Sequence, residues 1–170
     1  MSYEVYVLLQ VVHVLAGVFW AGASFVMAGF LNPTARHLGP KAAPFMQSLN
    51  ARARLPVASS AAAVTTLITG IVLLAWVSGG FRPAWFTTAY GIILTTGSIA
   101  AFAAFLTGML VQRPALSRAG RLSSALEGAT EAEAEDLRRG IAAAQGRARR
   151  GGQVAAVLLA VSVVAMAGAR

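Results

Sequence analysis

Four stretches of the chain are almost purely apolar: Tyr6–Leu31, Val57–Ser78, Trp85–Val111 and Gly152–Ala169. None of them contains Asp, Glu, Lys or Arg. A helix needs about 20 apolar residues to cross the hydrocarbon core of a bilayer, so each stretch reads as a transmembrane helix, the fourth being the shortest. Within the first stretch the polar and aromatic positions are periodic. Tyr3, Tyr6, Gln10, His13, Gly17, Trp20, Ser24 and Met27 recur at alternating spacings of three and four. That spacing lines them up along one stripe of a helix. Nearly everything between them is Val, Leu, Ala or Phe. The pattern predicts a helix with one lipid-facing side and an inner face that holds something.

The second and third stretches show weaker polar stripes. Ser59, Ala62, Thr66, Thr69, Leu73 and Trp76 share one face of the second, with Gly70 beside them, and the third carries Tyr90, Gly91, Thr95, Gly97, Ser98, Thr107 and Gly108. Small and hydroxylated residues let membrane helices approach closely, so these positions read as packing surfaces. No convincing repeat relates the two halves, which argues against an inverted-repeat transporter. The expected fold is all-α: one polytopic domain over residues 1–170, a bundle of four transmembrane helices. The link from Gly79 to Ala84 reads as a tight turn, with Trp76 and Trp85 flanking it at headgroup depth.

A helical extension over about 131–150 is expected between the third and fourth spans. Thr130 and Glu133 form a capping box, acids crowd the first turns and arginines follow, which complements the helix dipole. Ala134, Leu137, Ile141 and Ala144 give it an apolar stripe that would rest on the bundle or on the membrane surface. Gly151-Gly152 reads as a hinge or kink before the fourth span.

Charge orients the bundle. Of the 14 Lys and Arg, the connections 32–56 and 112–151 carry 4 + 8 = 12, leaving Arg82 and Arg170 for the opposite side. Basic residues stay on the cytoplasmic side. Both long connections are therefore expected in the cytoplasm, and both termini outside. The net charge of +8 is then a topology signal that also meets anionic lipid headgroups. Nucleic-acid binding is not expected, because no aromatic-interleaved basic stripe accompanies the charge. Glu4 and the length of the first apolar run argue against a cleaved signal peptide. The absence of Cys excludes disulfides, thiolate metal sites and thiol catalysis.

His13 is the one histidine or charged residue inside an apolar stretch, whereas His37, beside Arg36, reads as a surface residue. Counted from the outer end, His13 lies about 10 Å along the helix, in the outer half of the bilayer. Three readings follow. In the first, the imidazole is a hydrogen-bonded tie within the bundle, with Gln10 and Tyr6 one and two turns outward as partners. In the second it is an axial ligand of haem b, since imidazole is a usual iron ligand and four-helix membrane bundles are a common host. Tyr6, Gln10 and Trp20 would shape that pocket, and Gly17 would admit the porphyrin edge. The other axial position would fall to Met166, to a second His13 in a symmetric homodimer, or stay open. In the third, His13 and methionines hold Cu(I), although Met27 and Met109 belong to the inner half and only Met166 is level with His13. No catalytic residue is assigned: paired carboxylates, Ser/His/Asp arrangements, phosphate loops and zinc motifs are all lacking.

The run His13-Val-Leu-Ala-Gly-Val-Phe-Trp20-Ala-Gly22 resembles a first-helix motif, His-x-Leu followed by Trp-x-Gly. That motif recurs in the membrane domain of the copper resistance protein D family, in HemJ-type protoporphyrinogen oxidases and in predicted bacterial integral membrane families of unknown function. Thr69-Gly70 is similar to the Thr-Gly step of those families, and Arg113-Pro114 and Met166-Ala-Gly-Ala-Arg170 look most like the unknown-function branch. The resemblance implies haem binding at His13 in one branch and copper transfer across the inner membrane in another, and only His13 and Trp20-Ala21-Gly22 carry over. The Tyr-His pair and the span-three Lys of the oxidases are missing here. The expected role is a multi-pass protein of the bacterial cytoplasmic (inner) membrane that binds haem b for electron transfer or as an accessory subunit of a redox assembly. A cofactor-free structural protein and a copper-handling protein are the alternatives. The expected partners are the lipid bilayer and a homodimer or larger membrane complex.

Overall fold

The computed structural model describes residues 2–169, so Arg170, used above in the charge count and the terminal motif, lies outside the described residues. All regular structure among the described residues is helical. The α-helices are α1 (Tyr3–Val26), α2 (Asn32–Leu38), α3 (Ala43–Ala51), α4 (Leu55–Val77), α5 (Ala89–Thr107), α6 (Arg113–Leu126) and α7 (Glu131–Gly168). Four continuous helical stretches are long and apolar enough to cross a membrane: Tyr3–Leu38, Leu55–Val77, Ala89–Leu126 and Glu131–Gly168. Their outer surfaces carry exposed Leu8, Leu15, Val18, Ile68, Ile99, Val157 and Val164. A belt of that kind would be an association surface in water and is the ordinary exterior of a bundle in lipid.

The first and third stretches are each interrupted by a π-helical turn, Met27–Leu31 and Gly108–Gln112. Both have the same cause. A proline follows two residues after each turn, Pro33 and Pro114. Proline lacks the N–H of the helical ladder and its ring crowds the carbonyl four residues back, and a wider turn absorbs the mismatch without ending the helix. The two halves therefore share a local device that does not show as a sequence repeat.

The bundle is built from two antiparallel pairs. α1 packs chiefly on α4 and α5 chiefly on α7, while the contacts of α1 with α7 and of α4 with α5 are sparse. Small residues make this possible. The core where the pairs meet is Ala21, Ala63, Ala101, Ala104 and Ala155 with Leu159 and a single large ring, Trp20. A Cβ on Gly97 of α5 would lie 3.1 Å from the Ala165 Cβ of α7, so this pair approaches at glycine. Two buried hydroxyls of α4 are satisfied within their own helix: Thr66 donates to the Ala62 carbonyl at 2.8 Å and Thr69 to the Thr65 carbonyl at 2.7 Å. Such back-bonding makes a hydroxyl tolerable inside an apolar bundle.

The structure corrects several expected boundaries. The third span begins at Ala89 and not at Trp85, because Pro83–Thr87 forms a 3-10 turn and Thr88 caps α5, its hydroxyl accepting from the Gly91 N–H at 3.0 Å. Trp85 instead packs edge-on against Phe86 and Tyr90. The tight turn after α4 is present: Gly79 and Gly80 take positive φ, and the Phe81 N–H donates to the buried Ser78 hydroxyl at 2.9 Å. No hinge separates the extension from the fourth span. α7 runs unbroken through Gly151-Gly152, because those glycines serve close packing: Cβ atoms there would sit 3.2 Å from Val111 Cγ1 and 3.2 Å from Gln112 Nε2. Ala134 and Ala144 of the stripe are buried, and the front half of α7 packs on α6, the continuation of the third long helix.

The expected capping contact is present at the start of α7. The Thr130 hydroxyl and backbone N–H both donate to the Glu133 carboxylate, at 2.7 and 3.0 Å, and the hydroxyl chiefly holds that carboxyl below its ordinary range. A carboxylate depressed by folding stabilises the helix above its unfolded pKa, and that contribution disappears as pH falls through the depressed folded value. Amide exchange in the first turn of α7 is therefore expected to accelerate, relative to α6, on acidification below the ordinary Glu range. Glu133→Ala should show the faster exchange already at neutral pH; equal protection in variant and parent would contradict the cap.

Candidate functional site

A cavity of about 640 Å³ lies on the seam between the two helix pairs. This is within the volume range of small-molecule and cofactor sites. One wall comes from α1 and α4, with His13, Gly17, Thr66 and Gly70. The other comes from α5 and α7, with Thr95, Ser98, Ser162 and Met166. Phe102, Leu159 and aliphatic side chains complete a largely apolar lining that holds no Lys, Arg, Asp or Glu.

His13 is held by α4. Its Nδ1 lies 3.0 Å from the Thr66 carbonyl oxygen and 3.1 Å from Thr69 Oγ1. A carbonyl only accepts, so Nδ1 carries the proton and donates. The Thr69 hydroxyl already donates to Thr65 and accepts the other share of the same proton. The tautomer is thereby fixed, and Nε2 is left with its lone pair. Nε2 makes no hydrogen bond among the described residues. A histidine whose Nδ1–H is bound to a carbonyl and whose Nε2 is free is in the state needed of a metal ligand. Gly70 gives the ring its place: a Cβ there would stand 2.9 Å from His13 Cε1. The Thr69-Gly70 step thus has a physical meaning, one residue accepting from the imidazole and the next clearing space for it.

Of the residues expected at the site, the structure brings His13, Gly17, Trp20 and Met166 to one cavity. Gln10 and Tyr6 are not among its lining, and they are not the partners of His13. The reason is helical geometry. Three and seven residues climb about 4.5 and 10 Å along a helix, so exposed Gln10 and half-buried Tyr6 stand on the N-terminal side of the level at which α4 meets His13, beyond the cavity. Met27 and Met109 line a different cleft, and Met166 is the one methionine among the described residues that lines the His13 cavity. Among the described residues no group of three or more His, Cys, Asp or Glu side chains assembles for a metal ion.

Two features were missed by sequence reasoning. The partners of His13 come from the second span, signalled only by the Thr66 and Thr69 stripe. Thr95 Oγ1 is the one buried side-chain polar atom without a partner among the described residues, although other hydroxyls of α5, such as Ser98, bond back to the preceding turn. It stands on the wall opposite His13 and leaves a hydrogen-bonding position there. Comparison with known proteins gives no family, no curated protein and no solved structure that matches this chain.

Proposed function

We propose that the protein is a multi-pass protein of the bacterial cytoplasmic membrane that binds haem b in the seam cavity through Nε2 of His13. It would serve electron transfer or act as an accessory subunit of a membrane redox assembly. The observation that carries this reading is the fixed imidazole: Nδ1–H is bound to the Thr66 carbonyl, and Nε2 is unpartnered at an apolar cavity with Met166 across it. The residues fit the ring of the cofactor. His13 and Met166 would hold the group through an imidazole nitrogen and a thioether, and Gly17 and Phe102 would border it. Bound iron would supply a one-electron couple. The lining offers no cation, so acidic substituents find no counter-charge inside the cavity and belong at its mouth. A soft-metal site has less in its favour, because one imidazole and one thioether are fewer ligands than Cu(I) sites of this kind use.

A specific observation also supports a second reading, a cofactor-free scaffold. The same bonds to Thr66 and Thr69 tie α1 to α4, and a satisfied tie would do that with nothing bound. Visible absorption separates the two. Protein purified in detergent from haem-replete cells is expected to carry a Soret band; a colourless sample with intact helical circular dichroism would favour the scaffold.

The orientation has its own test. The connections 32–56 and 112–151 hold 4 + 8 = 12 basic residues and are placed in the cytoplasm. Reporters inserted near Ser48 and near Gly128 should be active only as cytoplasmic fusions, and a C-terminal reporter only as an external one. The opposite pattern would reverse the assignment.

A further inference from the structure

A second opening lies on the same seam, about 190 Å³, at the ends of the spans where the long basic connections leave the bundle. Its lining differs in kind from that of the His13 cavity. Asn32, Asn50, Ser59, Gln112 and Arg113 converge there, and no Asp or Glu does. The two amides, the Gln112 carboxamide and the Ser59 hydroxyl make no side-chain hydrogen bond among the described residues. Arg113 has only a sulfur acceptor, Met109 Sδ at 3.3 Å. The ion pairs of the described residues all lie within 131–139, on α7, so none of them neutralises this guanidinium. Donors without protein acceptors, one uncompensated positive charge and no carboxylate together describe a site for an anion.

The position of the donors follows from the fold. The two π-helical turns, Met27–Leu31 and Gly108–Gln112, flank this cleft, and the residue after each turn, Asn32 and Arg113, lines it. π-Turns are frequent at functional sites because they re-aim the residues that follow them. Gly152 lets the Gln112 amide lie against α7, since a Cβ there would be 3.2 Å from Nε2. Trp20 closes the cleft toward the His13 cavity and lines both.

We infer that the inner cleft binds the phosphodiester headgroup of an anionic phospholipid of the cytoplasmic leaflet, Arg113 meeting the phosphate and Asn32, Asn50 and Gln112 its remaining oxygens. Polar basic pockets between spans on the cytoplasmic side suit such headgroups. The inference rests on the four helices crossing the bilayer with both long connections in the cytoplasm and not on haem, so a colourless protein would leave it intact.

The test is native mass spectrometry of the full-length protein in detergent, with phosphatidylglycerol, phosphatidylcholine or inorganic phosphate added. Retained phosphatidylglycerol adducts are expected in the parent protein, with phosphatidylcholine retained much less. Arg113→Gln should lower phosphatidylglycerol retention about fivefold to tenfold, the loss of one charge-assisted contact. Asn32→Leu should lower it less, and Arg118→Gln, on α6 but outside the lining, should leave it unchanged. Circular dichroism of each variant checks folding. Equal retention of the two lipids, or equal effects of the Arg113 and Arg118 substitutions, would overturn the inference. Displacement of phosphatidylglycerol by inorganic phosphate at matched concentration would also overturn it, assigning the cleft to a soluble anion.

Discussion

His13→Ala is expected to remove the Soret band while leaving the bundle assembled. The substitution takes away the only imidazole at the seam cavity, and no other side chain in the lining offers a nitrogen ligand. What α1 loses toward α4 is the shared bond from Nδ1 to Thr66 and Thr69, a contribution of about 1 kcal/mol. Helical circular dichroism should therefore be retained with a modestly lower melting temperature. The Thr66 carbonyl and the cleared space against Gly70 remain in the variant, so free imidazole added at high concentration should restore part of the band. The cofactor-free reading makes a different forecast: the same small change in melting temperature, with no spectroscopic change because none existed in the parent. Absorbance and melting measured on both proteins decide between them.

Gly70→Leu is expected to be nearly as damaging to binding, although Gly70 ligates nothing. Its missing side chain is where the imidazole lies, and a Cβ would come within 2.9 Å of Cε1 and 3.4 Å of Nδ1. The ring must move, and with it the bond to Thr66 and the direction of Nε2. Overpacking of this kind costs about 1–3 kcal/mol, and disturbing the group that orients a metal-bound histidine typically weakens the metal site about 10-fold to 100-fold. Gly22→Leu is the control. It lies in the same first-helix motif, yet a Cβ there meets nothing within 4 Å. Haem retention should fall at least about tenfold in the first variant and stay unchanged in the second. Equal retention in both would remove Gly70 from the account.

Much of the architecture was legible because bilayer thickness and helical period impose themselves on composition. The four apolar stretches became the four long helices, the two tight-turn glycines took positive φ, and the capping contact of Thr130 with Glu133 formed as its spacing implied. The boundaries that moved did so for reasons local sequence hides. The first and third helices run past their expected ends at Leu31 and Val111, because a π-turn before Pro33 and before Pro114 carries each onward. Gly151-Gly152 reads as a hinge, but both glycines are flat against a neighbouring helix.

The site was half legible. Spacing along α1 identified His13, Gly17 and Trp20, and depth identified Met166, all of which meet at one cavity. The same spacing misplaced Gln10, because spacing fixes a face and not the level along the helix at which the cavity lies, and Gln10 stands about one turn before His13. The hydrogen-bond partners of His13 belong to α4, more than 50 residues along the chain. Periodicity reports which face a residue occupies and not which helix comes to meet it. The seam itself follows from pairing: α1 with α4 and α5 with α7 leave the weakest packing between pairs, and no single stretch encodes that.

The proposed haem site depends on Nε2 of His13, which the bond from Nδ1 to the Thr66 carbonyl leaves free, on a residue that lines the seam cavity. Titration of haem b into protein made in haem-depleted cells tests it most directly. The account predicts a Soret change that saturates at a single equivalent per chain in the parent protein and is lost in His13→Ala. A non-saturating change that is the same for both proteins, with helical circular dichroism intact, would contradict it.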